Sequence, residues 1–420
     1  MNDKSQSTQQ TRPSRFIGID WADKEHEVCI IDDDGNARSQ TLEQSPEAIE
    51  QWIAQQRQHG SVHIILEQTR GALAYALMFR EGVTLYPINP KQFSSYRDSY
   101  TNAGCKSDET DARLLATMLR ERIGSLRPWT PDDESTRKLA RFSELRRNLV
   151  NERTRLLQQL TDCLKCCYSQ ALTLPHVRLF GPLMLELLRR YPDPRQLKKA
   201  DRRVLVKVFA EFKLRNAKQQ HELLEAIRSM KLTTTDAVLL EASAILIQTC
   251  VLQMRTLNKS ITELEARLKQ EMDQHPDAEL FRSLPGAGQH LAPRLLAAFG
   301  SQRNRFASAD AMLAFTGIAP VRKQSGRTNI VHRRYACPKH IRQTFHEFAD
   351  HARRWCPWSK AYYQMQRSRG MKHHAALRKL ASRWIRILFV VWKTNTPYDP
   401  ARYLNTLRTK NPAIIPFLNA

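Results

Sequence analysis

Short apolar segments alternate with turn and helix signals over the first 120 residues, and this order constrains the fold more than any other feature. Segments of strand length lie at residues 16–20, 28–32, 37–42, 62–67 and 84–88. An Asp34-Gly35 pair between the second and third segments is a hairpin signal. Helical signals cover residues 46–57, 71–80 and 107–120. The order strand, strand, strand, helix, strand, helix, strand, helix predicts an α/β domain.

Four carboxylates stand at the ends of these predicted elements. Asp20 ends the first strand, Glu67 ends the fourth, and Asp108 and Asp111 share one face at the start of the last helix. The element order is that of a ribonuclease-H-like sheet, in which the ends of strands one and four are neighbours and the later helix packs beside them. We therefore expect the four carboxylates to converge.

Converging carboxylates repel one another unless cations neutralise them, so their convergence predicts a metal site. Hard oxygen ligands favour Mg²⁺ or Mn²⁺, and two such ions stabilise the attacking and leaving oxygens of a phosphodiester exchange. The structural alternative is that Asp20 caps a strand end and Asp108 is the N-cap of a helix. A carboxylate that ends an apolar strand, as Glu67 does, is harder to explain in that way.

The charge of the chain indicates a polyanionic partner. Lys and Arg number 66 against 42 Asp and Glu, which gives a formal net charge of +24. Self-repulsion of that size destabilises a compact protein unless a nucleic acid or similar partner offsets it, although a basic protein that is merely soluble remains the alternative. The polar N-terminus carries no apolar signal segment. We expect a cytoplasmic protein with no membrane span.

Eight cysteines scattered through a long chain indicate reduced thiols in the cytosol. Cys163, Cys166 and Cys167 have the local spacing of zinc ligands. No second Cys or His pair lies nearby, and the three fall in a helical pattern. They are therefore expected on a helix face rather than around a metal ion, and their role stays open.

The rest of the chain is expected to be mainly helical. Residues 1–14 read as a disordered tail and 15–130 as the α/β domain. Residues 131–277 form a helical arm, because apolar residues recur at helical spacing over 135–168 and again over 217–272. A coiled-coil hairpin and a plain helical bundle are both compatible with that spacing. Residues 278–420 form a compact, basic C-terminal domain.

A glycine-rich turn opens the C-terminal domain. In the stretch LPGAG at residues 284–288, Gly286 and Gly288 could let backbone N–H groups approach a phosphate, as in a helix-hairpin-helix element. A simple connector between two helices is the alternative. We include both glycines among the candidate nucleic-acid contacts.

A basic stretch surrounds a Ser-Gly pair further along the chain. Residues 322–342 contain no acidic residue. Gly326 permits a tight, exposed turn that would present the hydroxyl of Ser325, and a serine that attacks phosphorus needs cations around the phosphate. An ordinary Ser-Gly loop is the alternative. The candidate nucleic-acid contacts here are Arg322, Lys323, Arg327, Arg333, Arg334 and Lys339.

Aromatic residues follow among further cations. Trp355, Trp358, Tyr362 and Tyr363 are interleaved with Arg and Lys, which suits the stacking of unpaired bases. They also fit the core of a helix pair. For the tryptophans we expect the core.

Three segments of the chain resemble the DEDD transposases of the insertion-sequence one-ten family: FIGIDWADKEHEVCIIDDDG, IILEQTRG and NAGCKSDETDARLLATMLR. The C-terminal region also resembles the second half of that family, so the resemblance covers nearly the whole chain. It implies a RuvC-like N-terminal domain with Asp20, Glu67, Asp108 and Asp111 as catalytic metal ligands. It places the nucleophile on Ser325. The basic segment after Ser325 is less glycine-rich than in the family, which leaves the neighbouring DNA contacts open.

The resemblance further implies a DNA transposase or recombinase that cleaves and rejoins the strands of a mobile insertion sequence. Its implied partners are donor DNA, target DNA, a non-coding bridge RNA and further copies of the chain, as a dimer or tetramer, in a bacterial or archaeal cell. The carboxylates and Ser325 must then act on the same phosphate. Two alternatives stay open: a Holliday-junction endonuclease that uses metal-activated water, and a non-catalytic nucleic-acid-binding protein.

Overall fold

A computed structural model describes residues 14–67, 70–100, 107–326 and 328–418. The chain divides between residues 131 and 132 into two compact units. The predicted arm, except for its first residue Pro131, and the predicted C-terminal domain both belong to the second unit. Each unit has its own hydrophobic core and is described separately below.

The first unit contains all the elements that the sequence predicts there, together with one further helix, α3. The predicted tail lies outside the described residues except for Ser14, which begins β1, so the tail prediction was too long at that residue. The elements are β1 Ser14–Asp20, β2 Glu25–Ile31, β3 Ala37–Glu43, α1 Pro46–Arg57, β4 Ser61–Leu66, α2 Ala72–Leu77, β5 Val83–Pro87, α3 Pro90–Tyr100 and α4 Asp108–Arg122.

The five strands form one mixed sheet in the order β3-β2-β1-β4-β5. β1 and β2, and β2 and β3, are antiparallel, whereas β1 and β4, and β4 and β5, are parallel. Alternate residues point to opposite faces of the sheet. Ile64 packs in a core with α1 residues such as Trp52, and its neighbour Ile65 packs in a second core with Leu115 of α4.

The second unit is mainly helical, as predicted, and contains one short hairpin. Its elements are α5 Glu134–Cys167, α6 Pro182–Arg190, α7 Pro194–Lys199, α8 Arg202–Glu211, α9 Ala217–Ser229, α10 Ala237–Gln274, α11 Ala278–Arg282, α12 Gly288–Phe299, α13 Ala309–Phe315, β6 Val321–Ser325, β7 Thr328–His332, α14 Lys339–Trp355, α15 Pro357–Ser368, α16 His373–Thr394, α17 Pro400–Lys410 and α18 Ile415–Leu418.

Two long antiparallel helices, α5 and α10, form the arm. Arg146 Nε donates to Glu265 Oε1 at 2.8 Å, and Arg153 Nη1 donates to Asn258 Oδ1 at 3.2 Å, so early residues of α5 face late residues of α10. Residues from the four shorter helices α6 to α9 share a hydrophobic core with the far end of this pair. The arm therefore combines a two-helix hairpin with a small bundle.

The predicted second helical region, 217–272, is two helices rather than one. α9 ends at Ser229 and α10 starts at Ala237. Between them lie three consecutive threonines, which are β-branched and lose side-chain freedom in a helix. The side chain of Asp236 accepts a hydrogen bond from the Val238 N–H at 2.9 Å and so caps the new helix.

α10 also contains an 18-residue stretch that is apolar enough to cross a membrane, by length and composition only; 28% of that stretch is buried. A single helix of this kind is weak evidence, because core helices of soluble proteins meet the same criterion. Here Ile247, Val251 and Met254 of α10 belong to the core of the arm.

Buried tryptophans organise the C-terminal core. The indole N–H of Trp358 donates to the Tyr398 hydroxyl at 2.7 Å, and that of Trp392 donates to the Gly300 carbonyl oxygen at 2.7 Å. The prediction of a core position is confirmed for Trp358, which is 2% exposed. It was wrong for Trp355, which is 72% exposed, because α14 ends there and Cys356 takes the next buried position.

Candidate active site

The strand register brings two of the four predicted carboxylates to one edge of the sheet. Asp20 is the last residue of β1, and Glu67 directly follows β4. In the parallel pairing of these strands Ile19 lies opposite Leu66, so Asp20 and Glu67 leave adjacent strands at the same level. Neighbouring strands are ~4.8 Å apart.

The helix that begins with the other two carboxylates, α4, approaches β1 closely. A Cβ on Gly18 would lie 2.1 Å from the carbonyl oxygen of Ala112 and 2.3 Å from the backbone nitrogen of Ala116. Only a residue without a side chain allows this contact. Since Asp20 lies two residues after Gly18, its side chain is on the face that α4 covers. Asp108 and Asp111 occupy the first turn of that helix.

The two carboxylates of α4 differ in their surroundings. Asp111 is buried. Its Oδ2 accepts a hydrogen bond at 2.9 Å from Nη1 of Arg97 on α3, and the two side chains form an ion pair. Asp108 is exposed. The N-cap of α4 is Ser107, whose Oγ accepts from the Thr110 N–H at 3.2 Å, so the alternative that Asp108 caps the helix was wrong.

A fifth carboxylate, Glu27 of β2, belongs to the same face. Glu27 is paired with Asp20 in the antiparallel register of β1 and β2. Side chains of directly paired residues point to one face, with their Cβ atoms ~4.5–5.5 Å apart. The sequence signal that could have found Glu27 is the short connection of residues 21–24 between β1 and β2, which brings the start of β2 beside the end of β1. Arg97 was missed because α3 was not predicted.

The donor set fits a divalent cation in its chemistry, because every candidate ligand is a carboxylate oxygen. Among the described residues, however, no three His, Cys, Asp or Glu side chains are close enough to hold a metal ion together. Residues 68, 69 and 101–106, next to Glu67 and shortly before Asp108, lie outside the described residues. Carboxylates without a cation between them repel, and Arg97 instead supplies the positive charge beside Asp111.

Ser325 lies at the tip of the hairpin formed by β6 and β7. It is exposed and paired with Thr328, and Gly326 between them has φ of +52°, a conformation that glycine adopts readily. The exposed turn that the sequence predicts around Ser325 is therefore confirmed. The side chain of Arg322 reaches across the hairpin, where its Nε donates to Asn329 Oδ1 at 2.9 Å.

The other predicted cations have different positions. Lys323 is exposed on β6, Lys339 is exposed at the start of α14, and Arg327 lies outside the described residues. Arg333 and Arg334 follow the end of β7 at the base of the hairpin. They line a cleft together with cations of α16 that sequence reasoning did not single out.

The glycine-rich turn at 284–288 joins α11 to α12, and both Gly286 and Gly288 have positive φ, at +78° and +53°. A Cβ on Gly286 would meet the backbone of His351 at 3.0 Å, so this glycine lies against α14. A Cβ on Gly288 would have no heavy atom within 4 Å among the described residues. Gly286 thus has a packing role, and Gly288 remains open to a ligand.

Two family models match the chain. A model of DEDD transposases of the IS110 type matches residues 17–169, which include all four predicted carboxylates. A model described as transposase IS116/IS110/IS902 family matches residues 278–364, which include Ser325. Together they span more than half of the chain.

Three proteins of insertion elements match this chain over almost their full length. The transposase assigned to the mini-circle IS117 of Streptomyces coelicolor is 27% identical over 92% of this chain and 96% of its own. The 42 kDa protein of insertion element IS900 from Mycobacterium paratuberculosis is 27% identical over 92% of this chain and 97% of its own. The 44.8 kDa protein of IS116 from Streptomyces clavuligerus is 25% identical over 93% and 98%. The chain belongs to the IS110/IS116 family of DEDD transposases and is an enzyme of DNA transposition.

Proposed function

We propose that this transposase cleaves and rejoins DNA strands through a covalent bond to Ser325, assisted by divalent metal ions at the carboxylate edge. The observation that carries the proposal is the position of Ser325, an exposed hydroxyl at a hairpin tip with no acidic residue from 322 to 342. Cations around a phosphate stabilise the charge that develops on its oxygens.

The proposed reaction conserves the energy of the phosphodiester bond in a bond between phosphorus and Ser325. Ser325 Oγ attacks the phosphorus, its proton passes to solvent, and an Oγ–P bond forms as the bond from phosphorus to one deoxyribose oxygen breaks. That oxygen takes a proton from solvent. A free hydroxyl of another strand then attacks the phosphoserine and restores Ser325, so joining needs no external energy source.

The metal site is proposed to consist of Asp20, Glu67, Asp108 and Asp111, in a domain with a ribonuclease-H or RuvC-like fold. Dependence on a divalent metal follows from the DEDD family, and we propose Mg²⁺ or Mn²⁺ because all the candidate ligands are hard oxygens. Such ions would polarise the phosphate and neutralise its charge. The strand order and the approach of α4 to β1 support this assignment.

A non-coding bridge RNA and further copies of the chain complete the proposed assembly. The RNA partner is inferred from the family resemblance. The excess of positive charge supports it, because that charge can bind a second polyanion besides DNA. Self-association is supported by an exposed apolar stripe on α10, defined by Val238, Ile245 and Leu252, which are seven residues apart and 74%, 63% and 51% exposed. That is the spacing of a coiled-coil seam.

The deciding experiment incubates purified protein, Mg²⁺ and the flanking RNA with a nicked suicide DNA substrate. Wild type should form a protein–DNA adduct that mass spectrometry maps to the peptide containing Ser325. Ser325→Ala should lose both adduct and joined product while it still binds DNA. Thr328→Ala, which removes the hydroxyl opposite Ser325, is the matched control and should keep both.

Three results would change this conclusion. Cleavage at an undiminished rate by Ser325→Ala, with no adduct in either protein, would identify a nuclease that uses metal-activated water. Joining at full rate without the RNA would exclude RNA guidance. An unaltered reaction after Asp20→Asn would exclude the carboxylate edge.

A further inference from the structure

A cleft of about 480 Å³ lies at the base of the β6–β7 hairpin, on the side of α16. Its apolar lining includes Ile318, Pro320, Val331 and Met371. Its polar lining is dominated by cations, and none of the described residues that line it is acidic. The six cations, here called the cleft cations, are Arg333, Arg334, Arg378, Lys379, Arg383 and Arg386.

Most of the cleft cations have no carboxylate to neutralise them. Arg386 donates to Asp310 at 2.6 Å, and within the described part of the chain the other five form no ion pair with an acidic side chain. Nε of Arg334 is buried and donates no hydrogen bond to any described residue. A buried donor of this kind is costly unless a ligand supplies the acceptor.

Two further observations show that positive charge converges here. The guanidinium of Arg383 lies over the ring of Tyr362, 5.6 Å from its centroid, which holds it against the cleft wall. Burial, followed by the charges of Arg378 and Arg333, lowers the pKa of the neighbouring His346 to about 4. The protein therefore keeps this histidine neutral instead of adding a further charge.

The arrangement of cations on α16 explains their convergence. Arg378 and Ser382 are four residues apart, and so are Lys379 and Arg383, which places them on two adjacent ridges of one helix face. Both ridges line the cleft that Arg333 and Arg334 close from the hairpin side. Guanidinium groups on two walls suit a phosphate, which accepts several charge-assisted hydrogen bonds at once.

The cleft lies too far from Ser325 to hold the phosphate that Ser325 attacks. The hairpin is paired from Ser325 with Thr328 at its tip to Val321 with His332 at its base. Four residue steps at ~3.3 Å per residue give ~13 Å between tip and base. One phosphate group cannot occupy both positions.

We propose that the cleft lined by Arg333, Arg334 and Arg378 binds a backbone phosphate of a nucleic-acid strand, distinct from the phosphate that Ser325 attacks. The apolar lining would contact the adjoining sugar or base. The inference rests on the proposed strand transfer at Ser325, for which the cleft holds a phosphate at a fixed distance from the scissile one.

The test measures binding of a fluorescein-labelled single-stranded DNA, and of an RNA of the same sequence, by anisotropy in EDTA, where no strand is cleaved. The cleft variant is Arg333→Gln with Arg378→Gln. Its matched control, Arg202→Gln with Arg203→Gln, removes the same charge from the exposed first turn of α8. Arg378→Lys keeps the charge, and circular dichroism checks that each variant is folded.

The cleft variant should bind one of the strands roughly tenfold more weakly, because hydrogen bonds between charged groups are lost. The slope of log affinity against log salt is negative, and its magnitude should decrease by ~0.7, the value for one phosphate of a single strand. The control should change affinity less than the cleft variant does. Weakened binding of DNA, of RNA or of both supports the cleft, and an effect on one of them alone identifies the strand.

Equal binding of both strands by the cleft variant and its control would overturn the proposal. A second measurement uses the strand, DNA or RNA, whose binding the cleft variant weakens, as a series with one methylphosphonate linkage moved along it. Wild type should lose affinity at one linkage away from the scissile position, and the cleft variant should be insensitive at that linkage. A wild type with no such linkage would also overturn the proposal. Absence of the Ser325 adduct in wild type would contradict only the proposed function, because binding to the cleft is measured in EDTA without strand cleavage.

Discussion

Gly18 of β1 and Ala112 of α4 are in backbone contact, so close that a Cβ on Gly18 would lie 2.1 Å from the Ala112 carbonyl oxygen. This contact fixes the distance between the strand that ends in Asp20 and the helix that begins with Asp108. The carboxylate edge therefore depends on a residue that has no functional group of its own.

Gly18→Ala should separate α4 from β1. Because the added methyl group would meet backbone atoms, which cannot rotate away, we expect a loss of at least ~1–3 kcal/mol in the free energy of unfolding. Urea unfolding and strand-exchange assays measure the effect. Gly124→Ala is the control, since its Cβ would have no described heavy atom within 4 Å. Wild-type activity in Gly18→Ala would show that this contact does not position the site.

Arg97 should stabilise the fold by compensating the charge of the buried Asp111. In Arg97→Gln we expect a lower melting temperature, because a buried carboxylate that loses its cation is destabilising. If Asp111 belongs to a metal site, Mg²⁺ should raise the melting temperature of Arg97→Gln more than that of wild type. Thermal unfolding with and without Mg²⁺ measures this difference. Arg57→Gln, which alters an exposed ion pair with Glu81, is the control. An identical Mg²⁺ effect in all three proteins would count against the metal site.

The exposed stripe on α10 should mediate self-association. On α5, by contrast, Leu156 is buried in the core of the arm, so its replacement would disturb folding and would not test association. Ile245→Glu with Leu252→Glu should lower the solution mass measured by light scattering. Gln253→Glu with Thr262→Glu adds the same charge to exposed positions of α10 outside the stripe and should leave the mass unchanged. Equal masses for both variants would exclude the stripe as the interface.

Stability should fall as the pH is lowered from about 6.5 to 4, partly because of His346. Burial, with the charges of Arg378, Arg333, His374 and Arg342, lowers the pKa of His346 to about 4 in the folded protein, whereas 6.5 is the ordinary value. Between these values the unfolded chain takes up a proton that the folded chain does not, which favours unfolding. Since His346 is only partly buried, we expect on the order of 1–2 kcal/mol.

His346→Gln should flatten this pH dependence. Carboxylates also titrate in the acid range, so the quantity to compare is the difference between wild type and variant in urea unfolding at pH 7 and pH 4.5. His59→Gln, an exposed histidine of the other unit, is the control. A difference that does not vary with pH would contradict the lowered pKa of His346.

The sequence predicted most of the elements but not the helices with weak signals. β1 to β5 were found because apolar segments of strand length and the Asp34-Gly35 turn are local signals. α3, Pro90–Tyr100, was missed because its eleven residues are mostly polar and it follows a strand directly. Because α3 was missed, Arg97, the ion-pair partner of Asp111, was missed as well. The division of 217–272 into two helices was also missed, although Asp236 carries the cap that marks it.

Local patterns alone determined which carboxylates end which elements, and that Ser325 lies in an exposed turn beside a glycine, because strand ends, helix starts and turns depend on neighbouring residues. The tertiary structure decided the rest. The ion pair of Arg97 with Asp111 and the convergence of hairpin and α16 cations join residues of separate elements. Such contacts depend on strand register and helix packing, which no local pattern specifies.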